Sequence, residues 1–252
     1  MHHISYRVGY WSAVALIIAF AAWIVSFAAI ALTQSVFRWT DMSDYITRVQ
    51  DGNRFFQHLA YFFMLLAGPL YLLLLNGYHD LVPSGKRALL RIGIQFALAY
   101  AILSSLHYFV QLGMVRLRVN TGEFGGLEMF LQANPLSFTN AMVMLGWSFF
   151  LGFSSLFVFP IFRGEISGAG GTESGAGGTE RLGRRGKTSG RLLGAAFLVN
   201  GISCLLACIG YLFRIDILTF LCANLITGGA MMVIGVASAV LFRRLDREPA
   251  GN

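Results

Sequence analysis

Formal charge is what this chain leaves out. Six stretches, Gly9–Thr33, Phe55–Tyr78, Ile92–Val115, Phe138–Phe162, Leu192–Phe213 and Ile217–Phe242, hold no Asp, Glu, Lys or Arg. Charged residues make up 12% of the chain, against about 25% in a soluble domain. Ionisable groups cost about 2.5–3.5 kcal/mol each to insert in a membrane and are kept there mainly for ion and proton pathways. Their absence argues against a proton- or sodium-coupled transporter, and the lack of an arginine ladder against a voltage sensor. A phosphate-cradling Gly-rich loop is also missing, which argues against an ATP-driven pump. Cysteine is scarce: Cys204, Cys208 and Cys222 form no CxxC pair. A Cys208–Cys222 disulfide would need Cα atoms within about 7 Å, so free, packed thiols are expected.

What is present is apolar. Hydrophobic residues reach 56%, with 22 Phe and a mean hydropathy of +0.64. Each charge-free stretch meets the roughly 20 residues a helix needs to cross a bilayer. Only helices or a closed barrel satisfy the backbone there, and these runs are continuous rather than alternating. The chain therefore reads as an all-α membrane protein with six transmembrane helices. Four come first and a C-terminal hairpin of two follows, in a single transmembrane domain over 1–252. No segment has the length of a separate soluble domain.

The net charge of +7 reads as orientation rather than as nucleic-acid binding. Thirteen of the 19 basic residues fall on the N-terminus, the second and fourth loops and the C-terminus. The other three loops hold six: Arg38, Arg48, Arg54, Arg116, Arg118 and Arg214. Basic residues concentrate on the cytoplasmic side, so both termini are expected there, in the cell (inner) membrane. The first stretch ends in a cleavage-like Ala29-Ile30-Ala31. It is too long for a signal h-region of about 7–15 residues, and an uncleaved helix is expected.

The fourth loop repeats Ser-Gly-Ala-Gly-Gly-Thr-Glu at Ser167–Glu173 and Ser174–Glu180, so 164–190 reads as a flexible Gly-rich linker. The basic run from Arg181 to Arg191 is expected to meet anionic lipid head groups. The final hairpin turns at Arg214-Ile215-Asp216, where the two charges can pair. The opposite loops carry apolar periodicity. Met42, Tyr45, Ile46 and Val49 make one helical face behind Asp41 as N-cap, flanked by the anchors Phe37 and Trp39. Leu127, Phe130 and Leu131 repeat the spacing before the break at Asn134-Pro135. Gly68-Pro69 predicts a kink in the second span. Ala223, Thr227, Gly228, Gly235 and Ala239 give the last span a small-residue stripe for close packing.

Polar residues gather toward the outer ends of the second and third spans. Gln57, His58 and Tyr61 follow Arg54, while Ser104, His107, Tyr108 and Gln111 share one face and lead to Arg116. Asn140 stands at a matching level in the fourth span. Three readings of this cluster compete. The side chains hydrogen-bond across helices, worth about 0.6–2 kcal/mol each. Or they line a pocket for a lipid, quinone-like or other small amphiphile, which needs aromatic walls and a few directed polar groups. Or His58 and His107 ligate haem or a metal, with Arg54 and Arg116 where propionates would lie. No catalytic residue is assigned. The favoured function is binding an amphiphile in an outer-leaflet pocket, or serving as a scaffold or sensor component. The enzyme alternative is an intramembrane redox protein. Membrane lipids are the expected partners.

His107-Tyr108-Phe109-Val110-Gln111, Asn134-Pro135 and Gly146-Trp147-Ser148-Phe149-Phe150-Leu151-Gly152 together resemble multi-pass membrane proteins of prokaryotes that have no established activity. The resemblance covers mostly the second to fourth spans and has no counterpart for the tandem heptad. It implies a helical bundle of similar topology and transfers no functional residue.

Overall fold

A computed structural model describes residues 2–33, 39–51, 54–163 and 179–247. The first copy of the heptad repeat and most of the second, and the anchor Phe37, lie outside the described residues. Among those described there is no strand, and six helices are long and apolar enough to cross a membrane.

Helix α1 covers His2–Thr33, α2 is the short Met42–Asp51, and α3 runs Phe55–Gly77. Helix α4 is Arg87–Val110 continued through a π-helical Gln111–Val115 into Arg116–Thr121. Helix α5 joins Phe138–Met144, a π-helical Leu145–Phe150 and Leu151–Arg163. Helix α6 is Thr179–Leu212, so the stretch from 179 to 190 of the expected linker is helical. Helix α7 joins Asp216–Phe220, a π-helical Leu221–Ile226 and Thr227–Arg247.

Each long helix packs on its neighbours in sequence, and α7 returns to α1, so the six close into a ring. The interior is aromatic. Phe20, Tyr71, Tyr78, Tyr100, Phe162, Phe197 and Phe242 are all fully buried. The outer surface is apolar as well, with Trp11 at 65% and Phe109 at 65% exposed, which is compatible with a multi-pass membrane protein. The small-residue stripe of α7 serves two partners. Gly228 abuts Trp23 and Gly235 abuts Ile17 on α1, while Thr227 hydrogen-bonds Ser203 on α6 at 3.0 Å.

The two ends of the ring differ. At the end bearing the termini, Lys86 donates to the carbonyls of Pro160 at 2.9 Å and Ile161 at 3.3 Å. It thereby caps the last turn of α5, whose carbonyls have no helical donors. At the other end, a second small core forms from Tyr45, Val115, Val119, Leu127 and Leu131, with Trp39, Met42, Val49 and Phe130 against it. Asp41 accepts from the Asp44 N–H at 3.0 Å, as an N-cap does. This packing carries α4 past Val115 to Thr121, where Gly122 ends it with a left-handed φ of 75°. At the last hairpin Arg214 takes a positive φ of 57°. The expected Arg214–Asp216 pair is not among the ion pairs of the described residues. The three cysteines are free thiols.

Candidate functional site

The loop from 122 to 137 folds back over the α2 end of the ring, and the residues holding it down come from the predicted cluster. His107 is fully buried. Its Nδ1–H donates to the Thr139 carbonyl at 2.9 Å, and its Nε2 lies 3.2 Å from the Gln132 amide. A neutral ring accepts there from the Gln132 NH2 once that amide is turned. Gln111 donates to the Phe130 carbonyl at 2.6 Å, and its oxygen accepts from the Gln132 N–H at 3.5 Å. His107 and Gln111 are thus clamps on a loop. Ser104 accepts from the Trp147 indole N–H at 3.2 Å, which fixes that ring against Tyr100 and Phe20.

Beside these clamps is a cavity of about 200 Å3. Phe20 and Trp23 of α1, Met64 of α3, Tyr108 of α4 and Gln132 of the loop line it. Asn140 and Trp147 of α5 and Thr219, Asn224 and Gly228 of α7 do so too. Of the predicted residues only Tyr108 and Asn140 line it. Gln57 instead donates to the Tyr61 hydroxyl at 2.8 Å, and the Tyr61 ring meets Tyr108 at 5.8 Å. His58 is half-buried on α3 within electrostatic reach of Arg54 and Arg116.

Two properties mark the cavity. First, its lining sets polar groups at two depths among aromatic and apolar side chains. Asn140 and Thr219 stand within the first turn of α5 and α7, whereas Trp147 is seven residues further along, about 10 Å deeper at 1.5 Å per residue. Gln132, Asn140 and Thr219 stand at the loop end, whereas Asn224, eight residues into α7, lies near the level of Trp147 and donates to the Phe220 carbonyl at 3.1 Å. Among the described residues no formally charged side chain lines the cavity. Second, π-helical turns surround it. Those in α5 and α7 contribute Trp147, Ala223 and Asn224 to the wall, and the one in α4 begins three residues after Tyr108. Isolated π turns recur at functional sites, because each inserts a residue that re-aims the side chains around it.

Haem or metal ligation by His58 and His107 would require His107 to give up one of its hydrogen bonds. Both ring nitrogens of His107 already have partners, and no described contact joins the two imidazoles. Among the described residues no three His, Cys, Asp or Glu gather as a metal group.

A buried polar chain away from the cavity escaped the sequence reading. Tyr71 hydrogen-bonds Ser154 at 3.2 Å and Ser155 at 3.3 Å, Ser154 donates to the Gly93 carbonyl at 2.8 Å, and Asn200 donates to Ser155 at 2.8 Å. It ties α3, α4, α5 and α6 together. Its signal was Asn200, the lone amide in the fifth stretch.

No family model, curated protein or solved structure matches this chain.

Proposed function

We propose that this protein is a multi-pass membrane protein that binds a small, uncharged amphiphile in the cavity between α1, α5 and α7. The observation that carries the reading is a lining of aromatic rings with a few amide and hydroxyl groups and, among the described residues, no formal charge. A carbonyl- or hydroxyl-bearing head group would hydrogen-bond Gln132 and Asn140 at the loop end, with Asn224 available to a second polar atom deeper in the cavity. A flat ring would lie between Trp23 and Trp147. Ligand pockets run to about 300–1,000 Å3, so a cavity of about 200 Å3 suits the head of such a molecule, its chain remaining in lipid. The loop held by His107 and Gln111 would roof the site and couple occupancy to a sensor or scaffold role. The basic-residue distribution supports cytoplasmic termini in the cell membrane, which puts the cavity in the outer leaflet.

Binding of a decyl-substituted benzoquinone to the purified protein, followed by tryptophan fluorescence, tests this. Saturable quenching is expected in the wild type and in Trp39→Phe, and its loss in the Asn140→Leu/Asn224→Leu variant. Unsaturable quenching identical in all three would end the proposal. A visible spectrum after expression with haem supplied tests the redox alternative, for which a Soret band would be required. A reporter fused after Asn252 tests the orientation, and an external signal would reverse it.

A further inference from the structure

A second cavity lies at the opposite end of the ring, where α1 begins and α7 finishes. Its volume is about 410 Å3, and Tyr6, Arg7, Tyr10, Trp11, Arg243 and Asp246 line it. Among the described residues that line it, two guanidinium groups stand with one carboxylate, a formal surplus of one positive charge. Asp246 neutralises Arg7 only loosely: Nε and Oδ1 are 3.8 Å apart, and the Arg7 side chain is 72% exposed. Arg243 is exposed. Tyr10 and Trp11 meet edge to face at 5.2 Å, an aromatic pair of the kind that sits at a membrane–water boundary.

Apolar tracks lead away from this cleft. On α7 the exposed Val233, Val236 and Val240 stand ten, seven and three residues before Arg243, which is one helical face. On α1 the exposed Trp11, Ile18 and Val25 recur every seven residues. A charged head in the cleft therefore has two greasy paths beneath it for acyl chains. A soluble anion would use the arginines and leave both tracks unused.

We infer that the Arg7–Arg243 cleft is a binding site for one anionic phospholipid, whose phosphate bridges the two guanidinium groups while its chains follow α1 and α7. Arginine suits this role because its planar fork pairs with phosphate oxygens in a bidentate way. Asp246 competes with the phosphate for Arg7, which sets the affinity below its maximum. The site is independent of the cavity at the other end.

Native mass spectrometry of the full chain in detergent, with dioleoyl phosphatidylglycerol or dioleoyl phosphatidylcholine added, tests the inference. One phosphatidylglycerol should be retained in preference to phosphatidylcholine. Arg7→Gln/Arg243→Gln should weaken that retention roughly tenfold or more, with phosphatidylcholine unaffected. Asp246→Asn should strengthen it, an outcome that loss of a purely structural ion pair would not produce. Because the double variant could fail to fold, the Asp246→Asn measurement decides independently of it. Equal retention of the two lipids, or unchanged retention in Asp246→Asn, overturns the site. Displacement of phosphatidylglycerol by millimolar inorganic phosphate would make it a soluble-anion site and overturn the assignment to lipid.

Discussion

Ser105 on α4 donates its hydroxyl to the Leu65 carbonyl of α3 at 2.9 Å, and Leu65 is the residue whose carbonyl Pro69 leaves without a helical donor. One helix thus repairs the break that proline makes in another. Ser105→Ala should cost about 1 kcal/mol, in the range of interhelical hydrogen bonds in membranes. In a Pro69→Ala background the same change should cost less, since the alanine N–H returns to Leu65. A double-mutant cycle by unfolding in micelles checks this. Equal costs in both backgrounds would sink the idea.

The same seam depends on Gly68 one turn further along. A Cβ there would stand 2.7 Å from the Ala101 Cα, which is backbone and cannot swing aside. Gly68→Ala should therefore push α3 and α4 apart and cost about 1–3 kcal/mol, as overpacking does. At Gly229 a Cβ meets nothing within 4 Å. Gly229→Ala should be neutral or stabilise by up to about 1 kcal/mol through helix propensity. Thermal unfolding of the two variants side by side separates contact from propensity.

The six long helices were legible because each contains a run of more than 20 residues without a formal charge, the mark that the cost of burying charge in lipid would leave. Which face of each helix turns inward was far less so. Phe20 on α1 is buried and Ile18 is 55% exposed, yet both sit in the same unbroken apolar run, because lipid and protein interior accept the same side chains. Phe20, Trp23, Thr219 and Asn224 were therefore missed as cavity walls. Hydropathy also ended α4 near Arg116, whereas Val115 and Val119 pack under α2 and hold the helix together as far as Thr121.

The polar cluster divides for a related reason. Helical spacing put Ser104, His107, Tyr108 and Gln111 on one face, and periodicity says nothing of a loop folding back onto that face. The structure makes His107 and Gln111 fasten that loop while Tyr108 lines the cavity. His107→Ala and Gln111→Leu should therefore loosen residues 127–134 first. Amide exchange there should rise about tenfold, as loss of roughly 1.4 kcal/mol of hydrogen bonding implies, with α5 and α6 still protected. Unchanged exchange in that loop would show that the clamps carry no load.

Tyr45 gives the α2 end a pH dependence whose sign follows from its surroundings. Tyr45 sits on α2 in the small second core, 7% exposed, with its ring 6.1 Å from that of Trp39. Burial raises its pKa above the ordinary value, with nearby Arg54 pulling the other way. An unfolded tyrosine loses its proton near pH 10, while the folded one holds it longer. Above that pH the unfolded state binds fewer protons, so stability falls as pH rises until the folded hydroxyl ionises too. The contribution is complete below about pH 10. Tyr45→Phe removes the titrating group, so its melting temperature should fall less than the wild type's between pH 9 and pH 11, a window that brackets the unfolded value of about 10. Parallel decline of the two would mean that burial of this hydroxyl does not govern how α2 is held.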